Sequence, residues 1–160
     1  MRTRFRALLG DAAGTNLVEA AIITPLLLLL TFGIVDFGGL FYCYLALENG
    51  VSQATRFAIT GNQMPDPNNP SQMLSPSDAI IAAMQNATPT LTIPTSAFTF
   101  SHLPTGATAW VSGTGGPGDV DKVAVDYTWT LMTPLIRPFF PNGQFQIHVE
   151  SAMKNEARFQ

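Results

Sequence analysis

The stretch "GTNLVEAAIITPLLLLLTFGIVDF", residues 14–37, decides the fold of this chain. Between Leu17 and Val35 the only charged residue is Glu19, and Asp36 follows directly. As a helix this run spans about 28 Å, close to the thickness of a hydrocarbon core. The run "LLLLL" leaves no polar face, so the pattern favours a membrane span over the buried core helix of a soluble protein.

The composition fits one membrane segment and one modest domain. The chain has 160 residues, of which 46% are hydrophobic and only 12% charged, about half the charge of an average soluble protein. The net charge of -3 offers no basic surface, which argues against nucleic acid as a partner.

Charges on either side of the apolar run predict its orientation. Three arginines precede it, whereas only Arg56 follows within a comparable distance; the three are Arg2, Arg4 and Arg6. The positive-inside rule then puts the N-terminus in the cytoplasm and exports the chain beyond about residue 45. Small residues at 12–14 suggest a secretory cleavage site, but a secretory signal has its apolar region before the cut. A cut after Gly14 would leave the apolar helix on the mature protein.

The rest of the sequence predicts a small α+β domain. An apolar stripe extends the long helix to about Gly61; its members are Leu47, Val51, Ala54 and Ala58. Residues 61–72, "GNQMPDPNNPSQ", predict a linker or exposed loop. A short helix is expected through "DAIIAAMQNA", capped by Ser75 or Ser77.

Alternating side chains at 123–131 and 145–149 predict two half-buried antiparallel strands, and "SAFTFSH" and "ATAWVS" predict two more. The expected fold class is therefore α+β, with a long N-terminal transmembrane helix followed by a small exported domain that holds a short helix and an antiparallel β-sheet. The predicted divisions are a leader at 1–14, the transmembrane helix with its exported extension at 15–60, and the exported domain at 61–160.

Several stretches contain residue types that occur in anion-binding or metal-binding sites. The glycine-rich "GTGGPG", residues 113–118, precedes a strand and not a helix, so a hairpin turn is predicted in place of a phosphate site. Asp119, Asp121 and Asp126 lack the spacing of a calcium loop, and calcium binding by them is left open. His102 and His148 are far apart in sequence without a nearby cysteine, which argues against zinc.

The single cysteine, Cys43, excludes an intramolecular disulfide and is expected to pack as a small apolar residue; a crosslink between copies is the alternative. No Ser-His-Asp or Cys-His set is apparent. We therefore predict neither an enzyme, nor a cofactor, nor a metal site.

The two ends of the chain carry a family resemblance. The pattern glycine, four residues, glutamate and apolar helix, in "GTNLVE" at 14–19, resembles type IV prepilins and pseudopilins. "VEAAIITPLLLLLTFGIVDFGGLFY" is similar to the N-terminal segment of TadE-like pseudopilins of the Flp (tight adherence) pilus systems. "VAVDYTWTLMTPLIRPFFPNGQFQIHVESAMKNE" is similar to the end of that family.

The resemblance implies a minor pseudopilin in the bacterial inner membrane that takes part in assembly or initiation of a Flp-type pilus. It implies cleavage by a prepilin peptidase between Gly14 and Thr15, and contact with other pilus subunits and inner-membrane assembly proteins. Whether the protein enters the fibre is left open. The alternative is an uncleaved single-pass anchor whose exported domain binds another envelope or secretion component.

Specific residues follow from the membrane hypothesis. In pilins the resemblance implies that Glu19 pairs with the terminal amine of a neighbouring subunit, although pairing with the Thr15 amine of its own chain is also open. Pro25 is a candidate hinge or a static kink. Asp36 is interpreted as a membrane boundary. The loop "MTPLIRPFFPNG" is either a partner contact or packing onto the long helix, through Leu135, Ile136, Phe139 and Phe140.

Overall fold

The computed structural model describes residues 12–156, and within them the predicted α+β class is confirmed. Arg2, Arg4, Arg6 and most of the predicted leader lie outside the described residues. Among the described residues, two α-helices and six strands follow one another: α1 Ala12–Ile59, β1 Pro65–Asp66, β2 Asn69–Met73, α2 Pro76–Ala87, β3 Phe98–Leu103, β4 Val111–Ser112, β5 Val120–Thr130 and β6 Gln144–Lys154.

The predicted end of α1 and the predicted start of α2 both have local hydrogen bonds that stabilise them. After α1, Gly61 adopts a φ of 63° and its N–H donates to the Ala58 carbonyl, a left-handed conformation that glycine takes without steric cost. At the start of α2 the Ser75 side chain accepts a hydrogen bond from the Asp78 N–H at 3.2 Å. Of the two predicted caps, Ser75 is therefore the one that is used.

The main sheet has four strands in the order β4-β3-β5-β6. Strand β3 pairs antiparallel with both neighbours, so that Ser101 lies opposite Lys122 on one side and Ser112 on the other. The predicted alternation in β5 is confirmed from Val125 to Thr130, where Val125 is buried and Asp126 is exposed, but Ala124, predicted on the opposite face from Val123, is buried as well. Period-two burial of this kind lets one face of the sheet pack while the other faces solvent.

Two sequence predictions differ from the structure. The stretch at 61–72, predicted as a linker or exposed loop, is largely exposed, but it contributes to a hairpin of β1 and β2 that the sequence did not predict, in which the Asp66 side chain accepts the Asn68 N–H at 2.8 Å. The "GTGGPG" segment was predicted as a hairpin turn, which is wrong because β3 lies between β4 and β5. That segment instead crosses from one side of β3 to the other.

The chain divides into two compact units, the first formed by the described part of Met1–Gly39 with Thr130–Gln144. The second contains Leu40–Trp129 and the described part of Phe145–Gln160. The second unit has a buried core in which α1, α2 and the sheet participate; it includes Leu47, Val51, Met84, Val123, Val125, Ile147 and Val149.

Packing of α1 on α2 in the second unit depends on a glycine. A Cβ added at Gly50 would lie 2.5 Å from the Thr88 Cγ2 and 3.2 Å from Met84. These distances leave no room for a methyl group, so the small residue sets how closely the two helices approach.

Candidate functional site

The N-terminal part of α1 presents an apolar surface that nothing in the described chain covers. The helix is long and apolar enough to cross a membrane, and its most apolar window has a mean hydropathy of 2.2 and is 0% buried. Leucine, isoleucine and phenylalanine side chains are exposed all along this segment. In water such a surface would be strongly unfavourable, whereas in lipid it is the expected outer face.

The residues predicted for processing and assembly lie on this exposed surface. Gly14 has no other side chain or distant backbone within 4 Å of the position its Cβ would take. Glu19 is exposed as well, and α1 continues through Pro25 without interruption. Their roles in cleavage, pairing and bending stay predictions, since each concerns a partner or a movement.

Asp36 ends the apolar run, yet its side chain is fully buried, with 0% exposure. One carboxylate oxygen, Oδ1, accepts the Met132 N–H at 2.7 Å. The Thr133 N–H donates to both oxygens, at 3.3 and 3.2 Å, and the Thr133 hydroxyl donates to Oδ2. A carboxylate with three such donors is well stabilised even without water. Asp36 thus holds a segment that is distant in sequence against the helix.

That segment is the tip loop, which we define as residues 131–143 between β5 and β6. Its ends are joined by a hydrogen bond from the Leu131 N–H to the Gly143 carbonyl at 3.0 Å. The Arg137 Nε donates to the Leu131 carbonyl at 2.9 Å. Gly143 has a φ of 65°, and a Cβ there would lie 2.9 Å from the Arg137 Cγ. The loop is therefore a folded structure with close internal packing.

The four apolar residues predicted as a contact surface form two pairs that differ in their exposure. Ile136 is buried, and the Phe140 ring meets Phe37 of α1 edge to face with 6.2 Å between centroids. Leu135 and Phe139 are exposed, Phe139 by 71%. The two accounts open from the sequence therefore apply to different residues: one pair packs on the protein itself, and the other pair remains available for contact.

Of the three aspartates considered for calcium, two are held by backbone groups. Asp121 is buried and accepts the Gly115 N–H at 2.6 Å, and the Asn155 Nδ2 donates to it at 3.1 Å. Asp119 accepts the Gly116 N–H at 2.9 Å, and this bond is the largest cause that lowers the pKa of Asp119. Within residues 12–156, no group of three or more histidine, cysteine or acidic side chains is placed to hold a metal.

The third aspartate pairs with a histidine on the neighbouring strand. The His148 Nδ1 lies 2.7 Å from the Asp126 Oδ1, and the hydrogen bond to Asp126 raises the pKa of His148. His102, the other histidine, instead has its Nδ1 3.1 Å from the Gly113 carbonyl. The two histidines therefore have different partners, and Cys43 is buried in the core. The structure does not bring these three residues into one site.

Three residues with important contacts could not be identified from the sequence. Met132 and Thr133 hold Asp36 through backbone N–H groups, which leave no mark on residue type. Asn155 joins the end of β6 to the glycine-rich segment, its Nδ2 donating to the Gly116 carbonyl at 2.9 Å. The only signal in the sequence was its place in "AMKNE", part of the resemblance.

Residues 14–56 match the model of a protein family described as TadE-like protein. This match confirms the resemblance of the N-terminal segment and covers roughly a quarter of the chain, while the resemblance predicted for residues 123–156 lies outside it and stays a prediction. No curated protein and no solved structure matches the chain. The matched segment includes the exposed apolar part of α1, which is long and apolar enough to cross a membrane.

Proposed function

We propose, from the premise that residues 14–56 form a TadE-like segment, that this protein is a minor pseudopilin that helps to initiate or assemble a Flp-type pilus. It is anchored in the bacterial inner membrane with its N-terminus in the cytoplasm and its second unit exported. The observation that carries the proposal is the coincidence of the family match with an uncovered apolar helix. A structural role in the membrane uses that surface.

The proposal includes cleavage after Gly14 by a prepilin peptidase. The cut would remove the three N-terminal arginines and Asp11 and leave Thr15 as the first residue. Gly14 lies near the beginning of the described part of α1 and is exposed. Its open surroundings support access by a peptidase. A large residue at position 14 should block the cut.

Cleavage would give Glu19 a partner. The new ammonium group at Thr15 would lie four residues before the carboxylate, so the two can pair within one chain or between neighbours. In a tightly packed bundle of apolar helices, an unpaired ammonium is costly. Glu19 is exposed on α1, which is consistent with an intermolecular partner that aligns adjacent subunits.

The deciding experiment is the intact mass of protein purified from membranes of cells that carry the complete pilus system. A chain beginning at Thr15 supports the proposal, and Gly14→Arg should leave membrane insertion intact while abolishing the cut. A chain that retains Met1 would favour the uncleaved anchor that binds another envelope component.

Glu19→Ala tests the assembly role separately. It should be inserted and cleaved like the parent but should fail to co-purify with other pilus components and to support surface pili. Glu48→Ala, which removes an exposed carboxylate in a later part of the same helix, is the matched control and should assemble normally. If Glu19→Ala assembles as well as this control, the carboxylate only marks the membrane surface.

A further inference from the structure

The tip loop is fixed at a defined level of the long helix. Asp36 directly follows the apolar run, and it binds the backbone of Met132 and Thr133. The ring contact between Phe140 and Phe37 adds a second attachment one residue further on. All of these residues belong to the first unit, together with the apolar part of α1. Where α1 leaves the hydrocarbon core, the tip loop is therefore beside it.

The outer side of the loop continues the apolar surface of the helix. Met132 is 60% exposed, and Leu135 and Phe139 are exposed too. On α1 itself, Val35 and Phe37 next to the attachment point are also exposed. Contiguous exposed apolar patches often mark sites of interaction with a protein or a membrane. Here the neighbouring surface is one that we assign to lipid.

Most backbone N–H groups of the loop donate hydrogen bonds within the protein. The N–H groups of eight residues donate within the protein; they are Leu131, Met132, Thr133, Ile136, Arg137, Phe139, Phe140 and Gly143. Three further residues, Pro134, Pro138 and Pro141, have no N–H. Irregular backbone at membrane depth is tolerated only when its polar groups find partners in the protein. Eight of the ten N–H groups of the tip loop meet that condition, and those of Leu135 and Asn142 are the exceptions.

We propose that the tip loop is a second membrane contact, inserted into the interfacial region of the leaflet on the exported side. Met132, Leu135 and Phe139 face the acyl chains. Arg137 binds inward through its Nε and is otherwise exposed, so the rest of its guanidinium can reach lipid phosphate. Lipid is the occupant because the apolar side of the loop is continuous with the lipid-facing helix. This contact does not depend on a role in pili.

Two methionines of equal exposure allow a matched test. Met132 in the tip loop and Met73 in β2 are both 60% exposed. In the full chain, each is replaced separately by cysteine and labelled with the fluorophore NBD, and the labelled protein is placed as single copies in phosphatidylcholine–phosphatidylglycerol nanodiscs. The parent chain gives the background, because its only thiol, Cys43, is buried. Fluorescence is then quenched either by lipids spin-labelled near the headgroup or by iodide in the water.

The label in Met132→Cys should lose most of its fluorescence to the lipid quencher and resist iodide. The label in Met73→Cys should behave in the opposite way, and a label in Phe139→Cys should follow Met132→Cys. Equal iodide quenching in Met132→Cys and Met73→Cys would place the loop in water and overturn the proposal. If the Met132→Cys label resists both quenchers, the loop is covered by other parts of the protein and not by lipid. That result would also overturn the proposal.

A second copy of the chain is the rival occupant, and copy number distinguishes it. If the Met132→Cys label is open to iodide in single-copy nanodiscs and protected only in vesicles with many copies, protein and not lipid covers the loop. That result would also overturn the proposal. Lipid quenching that is the same in both preparations supports it.

Discussion

Removal of the Asp36 carboxylate should release the tip loop while the rest of the protein remains folded. Asp36→Ala deletes the acceptor of three hydrogen bonds, two from N–H groups and one from the Thr133 hydroxyl. The substituted side chain cannot replace any of them. Because the acceptor lies in α1 and the donors in the loop, the effect should be confined to their junction in the first unit.

The size of the effect follows from the number and type of these bonds. A hydrogen bond to a charged group contributes about 1.5–3 kcal/mol, and a buried donor left without an acceptor costs about 1–3 kcal/mol. Loss of the buried charge offsets part of this, because its desolvation is relieved. We expect the substitution to destabilise the closed loop by about 2–4 kcal/mol relative to the open loop. This change in free energy increases the population of the open loop by about 30- to 1,000-fold.

Amide hydrogen exchange measures this opening directly. In Asp36→Ala the amides of Met132 and Thr133 lose their own acceptor as well as the closed loop, so they should exchange faster by at least the factor given above. Asp36→Asn keeps one acceptor oxygen and should give an intermediate rate. Glu48→Ala, on the same helix, should leave both amides unchanged. If the two amides in Asp36→Ala exchange within about threefold of the parent, the contacts do not hold the loop and the reasoning fails.

Two further predictions concern the second unit. Gly50→Ala should lower the stability by about 1–3 kcal/mol, because its methyl group overlaps Thr88, whereas Gly38→Ala meets no neighbour and should be neutral or stabilising; equal melting temperatures would contradict this. The raised pKa of His148 means that the folded protein binds the imidazole proton more tightly than the unfolded chain does. The stability that protonated His148 adds is therefore fully present below pH 6.5, its ordinary pKa, and is lost as the pH rises through the pKa of the folded state. Asp126→Asn should lower the imidazole pKa in an NMR titration, and an unchanged titration would show that the pair does not form in solution.

The helices could be predicted because their signals are local. Ser75, Pro76 and Asp78 together mark the start of α2 within four positions of sequence, and side-chain hydrogen bonding at that cap is observed. Similarly, the apolar stripe through Leu47 and Val51 carries α1 well beyond the membrane run. Strand β5 was predictable for the same reason, since its alternation is contained in one stretch of chain.

The candidate site was only partly predictable, because its contacts join distant parts of the chain. From its place in the helix, Asp36 appears as a charge at a membrane boundary, and its donors lie 96 and 97 positions away. Nothing in the side chains of Met132 or Thr133 shows that their N–H groups are needed. Strand order was inaccessible for a similar reason: β4 and β5 are adjacent in sequence, and only long-range pairing inserts β3 between them.

Burial of the single thiol makes the protein its own reporter of unfolding. Cys43 is fully buried in the core of the second unit, and it is the only cysteine of the chain. A thiol reagent can therefore reach it only while that core is open, so the rate of labelling in intact membranes measures the opening equilibrium. The same measurement can be made in living cells, where assembly partners are present. Slower labelling in a complete pilus system than in a cell without one would give the free energy that assembly adds to this core.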